Sequence, residues 1–264
     1  MKYDEIITLL YNSRKLAPDN RLKFYSNLKT RAEIIKETSA TICEYLEKGL
    51  KELEPEAEVV WGESAENAKG KRFILDPVNG DINLARGYNM TTCSIAYAEG
   101  NDILFGVVYN PYSEEMFIAM KGLGAHSYNT KFGLTALLKR GAECYRDNEL
   151  RVSEVKPCDA IMEFGGNFID RENAEKSFDL LKKIFQSSMD IRRISSPALT
   201  ICNVAAGRID GYFERFVNCH TFAAAALVLT EAGGRISKWD GSKLKPNEKA
   251  DIICGNPAVY KFLK

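Results

Sequence analysis

Apolar positions near the start of the chain recur every three to four residues. Ile6, Leu9 and Leu10 predict a short amphipathic helix. Ile34, Ile35, Ile42, Tyr45, Leu46, Leu50 and Leu53 lay a stripe along a second helix from about residue 28 to 53, which Pro55 closes. The period then shortens. Residues 58–61 and 72–75 read as short strands. Residues 93–98 and 103–109 read as a hairpin about Glu99-Gly100-Asn101-Asp102, and residues 115–120 and 124–128 as a second about Lys121-Gly122-Leu123.

From about residue 150 strands and helices alternate. Strands are predicted at 160–164, 191–194, 211–214 and 235–239, and helices at 174–185, 197–206 and 222–232, the last ending at Gly233-Gly234. That alternation predicts an α/β half. A polar, charge-rich stretch at 135–150 is the natural boundary, giving an α+β half over 1–145 and an α/β half over 146–264.

Composition changes this picture little. Apolar residues make up 45% and charged residues 27% of the 264, an ordinary globular balance. With 36 basic and 36 acidic residues, nothing in the charge points to nucleic acid or an anionic membrane as partner. The longest apolar runs, such as 222–229, are too short to span a bilayer. The first fifteen residues set acids beside apolar positions and read as a helix, not a signal peptide. Seven cysteines with no CxxC pair imply a reduced, cytoplasmic protein, and two histidines, His126 and His220, argue against structural zinc.

Chemistry concentrates in Leu75-Asp76-Pro77-Val78-Asn79-Gly80-Asp81-Ile82-Asn83. A carboxylate at a strand end, a rigid proline and a glycine with free backbone N–H groups can hold a cation and an anion together. Glu63 ends the preceding strand and lies beside Asp76 if the two strands pair. The same residues equally suit turns and helix caps, and spacing alone leaves both readings open.

The segment resembles the signature of the inositol monophosphatase family, of the Mg-dependent, lithium-sensitive type. There a Gly-Glu-Glu strand end precedes Asp-Pro-(Ile/Leu)-Asp-Gly-Thr-Thr-Asn. A second signature is matched by Gly207-Arg208-Ile209-Asp210-Gly211-Tyr212-Phe213-Glu214, then Asn218-Cys219-His220-Thr221 and Glu231-Ala232-Gly233-Gly234. Gly106-Val107-Val108-Tyr109-Asn110-Pro111 and Gly122-Leu123-Gly124-Ala125 match between them, so the resemblance covers nearly the whole chain.

The resemblance implies an αβαβα layered sandwich of the inositol monophosphatase and fructose-1,6-bisphosphatase type. It implies a homodimer, and Mg²⁺-dependent hydrolysis of a small polyol or sugar phosphate. The first metal position maps to Glu63, Asp76 and the carbonyl of Val78. The second maps to Asp76, Asn79 and Thr221, where two family carboxylates have become neutral, so one Mg²⁺ (or Mn²⁺) is expected and the second position should be weak or empty. The family's catalytic threonine is here Asp81, and its helix aspartate falls within 38–41, which holds no acid. An exchange of roles would make Asp81 the base or metal ligand, paired with Ser39 or Thr41; otherwise Asp81 caps a short helix. A carboxylate beside the phosphate cradle at Gly80 and Asp81 would repel the anion by about 4 kcal/mol at about 4 Å.

Glu214 matches the family residue that contacts substrate hydroxyls. Ser195 and Ser196 fall near the substrate ring, His220 replaces a tryptophan, and Arg192 and Arg193 are expected at the surface. The residues thus leave three functions open. One is a phosphomonoesterase with a rebuilt site. A second is a non-catalytic relative serving in binding or assembly. The third is different chemistry on a ligand without phosphate, with Asp81 and His220 as acid–base groups.

Overall fold

The computed structural model describes residues 3–16, 30–132, 148–166 and 174–264. Helices α1 (Tyr3–Ser13) and α2 (Arg31–Leu53) follow the two apolar stripes. Thr30 starts α2 with a capping box: its hydroxyl accepts the Glu33 N–H, and the Glu33 carboxylate accepts the Thr30 N–H at 2.7 Å.

Six strands form the first sheet in sequence order: β1 (Glu58–Trp61), β2 (Lys71–Asn79), β3 (Thr92–Glu99), β4 (Asp102–Asn110), β5 (Glu115–Met120) and β6 (Ala125–Asn129). Short helix α3 (Asp81–Arg86) follows β2. Strand period sorts the two faces. Phe73, Leu75, Ile95, Tyr97, Phe105, Val107, Met116 and Ile118 pack with Ile6, Leu10, Ile42 and Leu46 of α1 and α2. The other face presents small residues, Ala96, Ala98 and Ala119 among them. At Gly106 a Cβ would lie 2.7 Å from the Ala224 carbonyl oxygen, so only glycine admits this close approach.

The second sheet has the order β10-β11-β9-β7-β8. Its strands are β7 (Ile161–Phe164), β8 (Asp190–Arg192), β9 (Gly211–Val217), β10 (Arg235–Lys238) and β11 (Ala250–Gly255). β7 runs parallel to both β8 and β9. Between the sheets lie α5 (Pro197–Ala205) and α6 (Cys219–Glu231), buried almost all round because each meets a sheet on two sides. On the far face of the second sheet, α4 (Ala174–Phe185) and α7 (Pro257–Leu263) pack on Met162, Phe213 and Ile253. The five layers are α, β, α, β, α, as the resemblance implies.

Several bounds differ from the sequence reading. β2 runs on through Asp76 and Pro77 to Asn79, with a register shift between Asp76 and Asn79 that absorbs the proline. β11 and α7 were not predicted at all. The expected division at 145/146, and Cys144, lie outside the described residues. Of the six described cysteines, all free, five are buried. Among the described residues no helix is long and apolar enough to cross a membrane.

Candidate active site

The layers leave a cleft of about 480 Å³ where the ends of β2, β7, β8 and β9 meet the starts of α3, α5 and α6. Carboxyl ends of parallel strands are the usual place for a ligand in such a fold. One wall carries Asp76, Val78, Asn79, Gly80 and Asp81. The facing wall carries Glu163, Arg193, Ser195, Ser196, Tyr212, Glu214, His220 and Thr221.

On the first wall, Gly80 has φ +87° and a Cβ there would meet the Met90 carbonyl oxygen at 2.7 Å, so the turn into α3 requires glycine. Asp81 is exposed at the first position of α3, and its Oδ1 accepts the N–H of Ile82 at 2.7 Å. It is not the cap: Gly80 occupies that position. Asn83 ties the turn to the opposite wall, donating from Nδ2 to the carbonyls of Met90 and Ile194, both at 2.8 Å.

Asn79 is a strut. Its Nδ2 donates to Asp76 Oδ2 at 2.8 Å, while its Oδ1 accepts the Ser196 hydroxyl at 2.8 Å and the Ala198 N–H at 3.0 Å. It thereby caps α5 from another strand, satisfying an N–H of the first turn that Ser196 itself does not reach. Reading Asn79 as a metal ligand therefore needs correction. Its carbonyl oxygen is already held by two donors, and its amide presents hydrogens to Asp76.

Two further expectations change. Thr41 is exposed on the outer side of α2, its hydroxyl donating to the Glu37 carbonyl at 2.8 Å, and neither it nor Ser39 lines the cleft. Thr38 and Ile42, one turn apart, face inward with Pro77 and Val78, while Thr41 lies at the edge of that stripe and turns to solvent. The pairing of Asp81 with Ser39 or Thr41 is not formed. Glu63 is exposed in a 3₁₀ turn (Gly62–Ala65) and is not in the lining of the cleft. Parallel pairing of β1 with β2 ends at Trp61 with Leu75, two residues before Glu63 and one before Asp76.

On the second wall, Ser195 holds φ +61°, a left-handed conformation that costs a non-glycine residue about 1 kcal/mol or more. Replacing Ser195 by Gly should stabilise the protein by about 0.5–1 kcal/mol, less than the strain itself because glycine loosens the unfolded chain. A rise in denaturant midpoint at constant slope would register it.

Sequence reasoning missed Glu163, and placed Arg193 at the surface. Glu163 is 1% exposed. Its Oε1 accepts the Ile194 N–H and the Thr200 hydroxyl, both at 2.7 Å. Burial pushes its carboxyl up to about 7, against the pull of those two donors. Glu214 is also raised, chiefly by burial, while the Tyr212 hydroxyl donating to its Oε2 and the Arg193 guanidinium draw it down. Arg193 sits over the Phe164 ring at 5.8 Å and donates to the Gly166 carbonyl at 3.4 Å. His220 Nδ1 is buried with no hydrogen-bond partner among the described residues. An acid at the end of a strand gave no sign in sequence that Thr200, on another element, would bury it.

Comparison with known proteins fixes the relationship. The profile described as "Inositol monophosphatase family" matches residues 12–263. The chain belongs to the inositol monophosphatase family. It is 32% identical over 208 residues to "Inositol-1-monophosphatase" of Rhizobium meliloti, covering 77% of this chain and 71% of that protein. It is 30% identical over 213 residues to "Nus factor SuhB" of Salmonella typhimurium, covering 79% and 73%. The structure of Mycobacterium tuberculosis SuhB superposes with a TM-score of 0.76 at 25% identity, covering 97% of this chain and 91% of that one. That of inositol monophosphatase-II from Staphylococcus aureus gives 0.80 at 18% identity over 99% and 93%, a likeness of fold.

Do the residues of this family member fit the magnesium that the fold implies? Among the described residues no three His, Cys, Asp or Glu side chains lie together as a metal site. The second family position does not fit: Asn79 is committed to α5, and Thr221 brings no charge. The first keeps the donor types that suit one ion. Glu63 and Asp76 offer two carboxylates, and Val78 falls within the irregularity of the β2–β3 pairing between Asp76 and Asn79. Mg²⁺ commonly takes one or two carboxylates, with water and phosphate completing its shell.

Proposed function

We propose that this protein is a phosphomonoesterase of the inositol monophosphatase type, acting on a small polyol or sugar phosphate with one divalent ion, Mg²⁺ or in its place Mn²⁺. The observation that carries this is the cleft itself. At about 480 Å³ it has room for a sugar-sized ligand between the Asp76–Asp81 turn and Glu214. Glu63, Asp76 and the Val78 carbonyl would hold the ion. When bound, it supplies positive charge to phosphate oxygens and acidifies water. The chain does the rest. Gly80 and Asp81 offer backbone N–H groups to phosphate, Glu214 takes a hydroxyl of the sugar, and the oxygen of Asp81 not engaged by Ile82 accepts a proton. The working unit on this reading is a homodimer.

One observation favours a second reading, a relative that binds without hydrolysing. Asn79 locks the second metal position with hydrogen bonds. Relatives of similar identity carry the names of an enzyme and of a factor. Titration with Mg²⁺ and Mn²⁺, together with phosphate release from inositol phosphates and hexose phosphates, separates the two. Hydrolysis should appear with millimolar ion and fall in Asp81→Asn. A protein that binds these esters but releases no phosphate is the non-hydrolysing relative.

A further inference from the structure

On the reading of this cleft as a site for a small polyol or sugar phosphate, we propose that Glu163 and Glu214 form a subsite for a primary ammonium group. The substrate class is then an aminated sugar or aminated cyclitol phosphate.

Glu163 carries the argument. Its Oε1 is saturated by Ile194 and Thr200, but Oε2 is buried and has no hydrogen-bond partner among the described residues, and the residue lines the cleft. Native structures seldom leave a buried carboxylate oxygen without a donor, because its lost hydration is not replaced. A ligand in the cleft that Glu163 lines would supply that donor.

A second carboxylate shares the place. β7 pairs with β9 so that Glu163 lies opposite Tyr212, whose hydroxyl reaches Glu214 two residues on. Just past β7, Gly165 is bare. A Cβ there would fall 2.1 Å from Glu214 Cδ, so the absence of a side chain is what lets Glu214 fold across the strand end. An ammonium has three donors and a full charge, enough to serve both carboxylates; a hydroxyl has one donor. A metal is the poorer occupant, since among the described residues no third acid or histidine joins the pair.

Charge around the cleft agrees. Among the described residues of the lining, Asp76, Asp81, Glu163 and Glu214 face one guanidinium, that of Arg193. A phosphate ester alone adds negative charge to a negative cleft. One bearing an amine brings its own compensation to the end where two acids lie.

Calorimetric titration at about pH 8 tests this with matched pairs: D-glucosamine against D-glucose, their 6-phosphates, and an amino-inositol against myo-inositol. The amino member of at least one pair should bind about tenfold tighter or better. Glu163→Gln keeps an oxygen for Ile194 and Thr200 while removing the charge. It should bring that ratio to about threefold or less, with circular dichroism unchanged, and Glu214→Gln should do likewise. No preference in any pair, or a preference surviving in both variants, overturns the inference. Phosphate release, followed on the same esters, tests hydrolysis separately. An amine preference without release leaves this subsite standing and removes the phosphatase reading. Release without an amine preference does the reverse.

Discussion

Asn79→Asp should destabilise the metal-free protein by about 2–3 kcal/mol, and Mg²⁺ should restore much of the loss. The native amide donates to Asp76 and accepts from Ser196 and Ala198. An aspartate keeps the two accepted bonds and loses the donated one. It also sets a second carboxylate against Asp76, with both positions under 5% exposed. A lost buried donor costs about 1–3 kcal/mol, and two buried acids cannot both ionise freely. One of the pair titrates above its unfolded value. Stability from that group is present in acid and lost as pH rises through the raised pKa, so the defect should deepen from about pH 5 to pH 8. A cation reverses the sign of the interaction. Ion at a hundredfold its dissociation constant adds about 2.7 kcal/mol, roughly 5–10 °C in melting temperature for a chain of this size. Melting with chelator and with millimolar Mg²⁺ gives both numbers. An apoprotein as stable as the parent would show that Asn79 is not the strut described above.

The same residue shows how far the sequence could be read. As a departure from a signature, Asn79 looked like a lost ligand. That it holds the start of α5 depends on Ser196 and Ala198, more than a hundred residues away, and no local pattern reports such a contact. Periodicity was a better guide. β3, β4 and β5 fell within a residue or two of their observed ends, since their alternation is enforced by two different neighbours, bulky residues toward α1 and α2 and alanines toward α6. Asp76-Pro77 looked like a strand end, yet pairing with β3 resumes at Asn79 after the irregularity. β11 escaped notice although Asn256-Pro257 marks a helix start behind it, with the Asn256 side chain accepting from Val259. It sits in the interior of its sheet, between β10 and β9, and that place is set by long-range pairing.

Glu163 leads to the other large effect. Its carboxyl titrates near 7 in the fold, against about 4.3 in an unfolded chain, so the native state holds a proton that the unfolded state has released. Stability from this group is present in full below about pH 4 and drains away as pH rises through 7, a loss of about 3 kcal/mol by pH 8. Burial supplies most of the rise, and the hydrogen bonds from Thr200 and Ile194 oppose it. Glu214 raises it, Arg193 lowers it, and Tyr212 and Cys254 are themselves raised by its charge. Glu163→Gln stays neutral at every pH. It should therefore flatten this part of the stability curve, leaving the protein about 3 kcal/mol more stable than the parent at pH 8 and about 1 kcal/mol more stable at pH 5. Chemical denaturation at the two pH values would measure it, and a variant weaker than the parent at pH 8 would show that the charge is compensated within the fold. A gain at pH 8, joined to a loss of binding, would mark Glu163 as a residue kept for its ligand at the expense of stability. Residues kept for packing alone behave in the opposite way, since their replacement lowers stability.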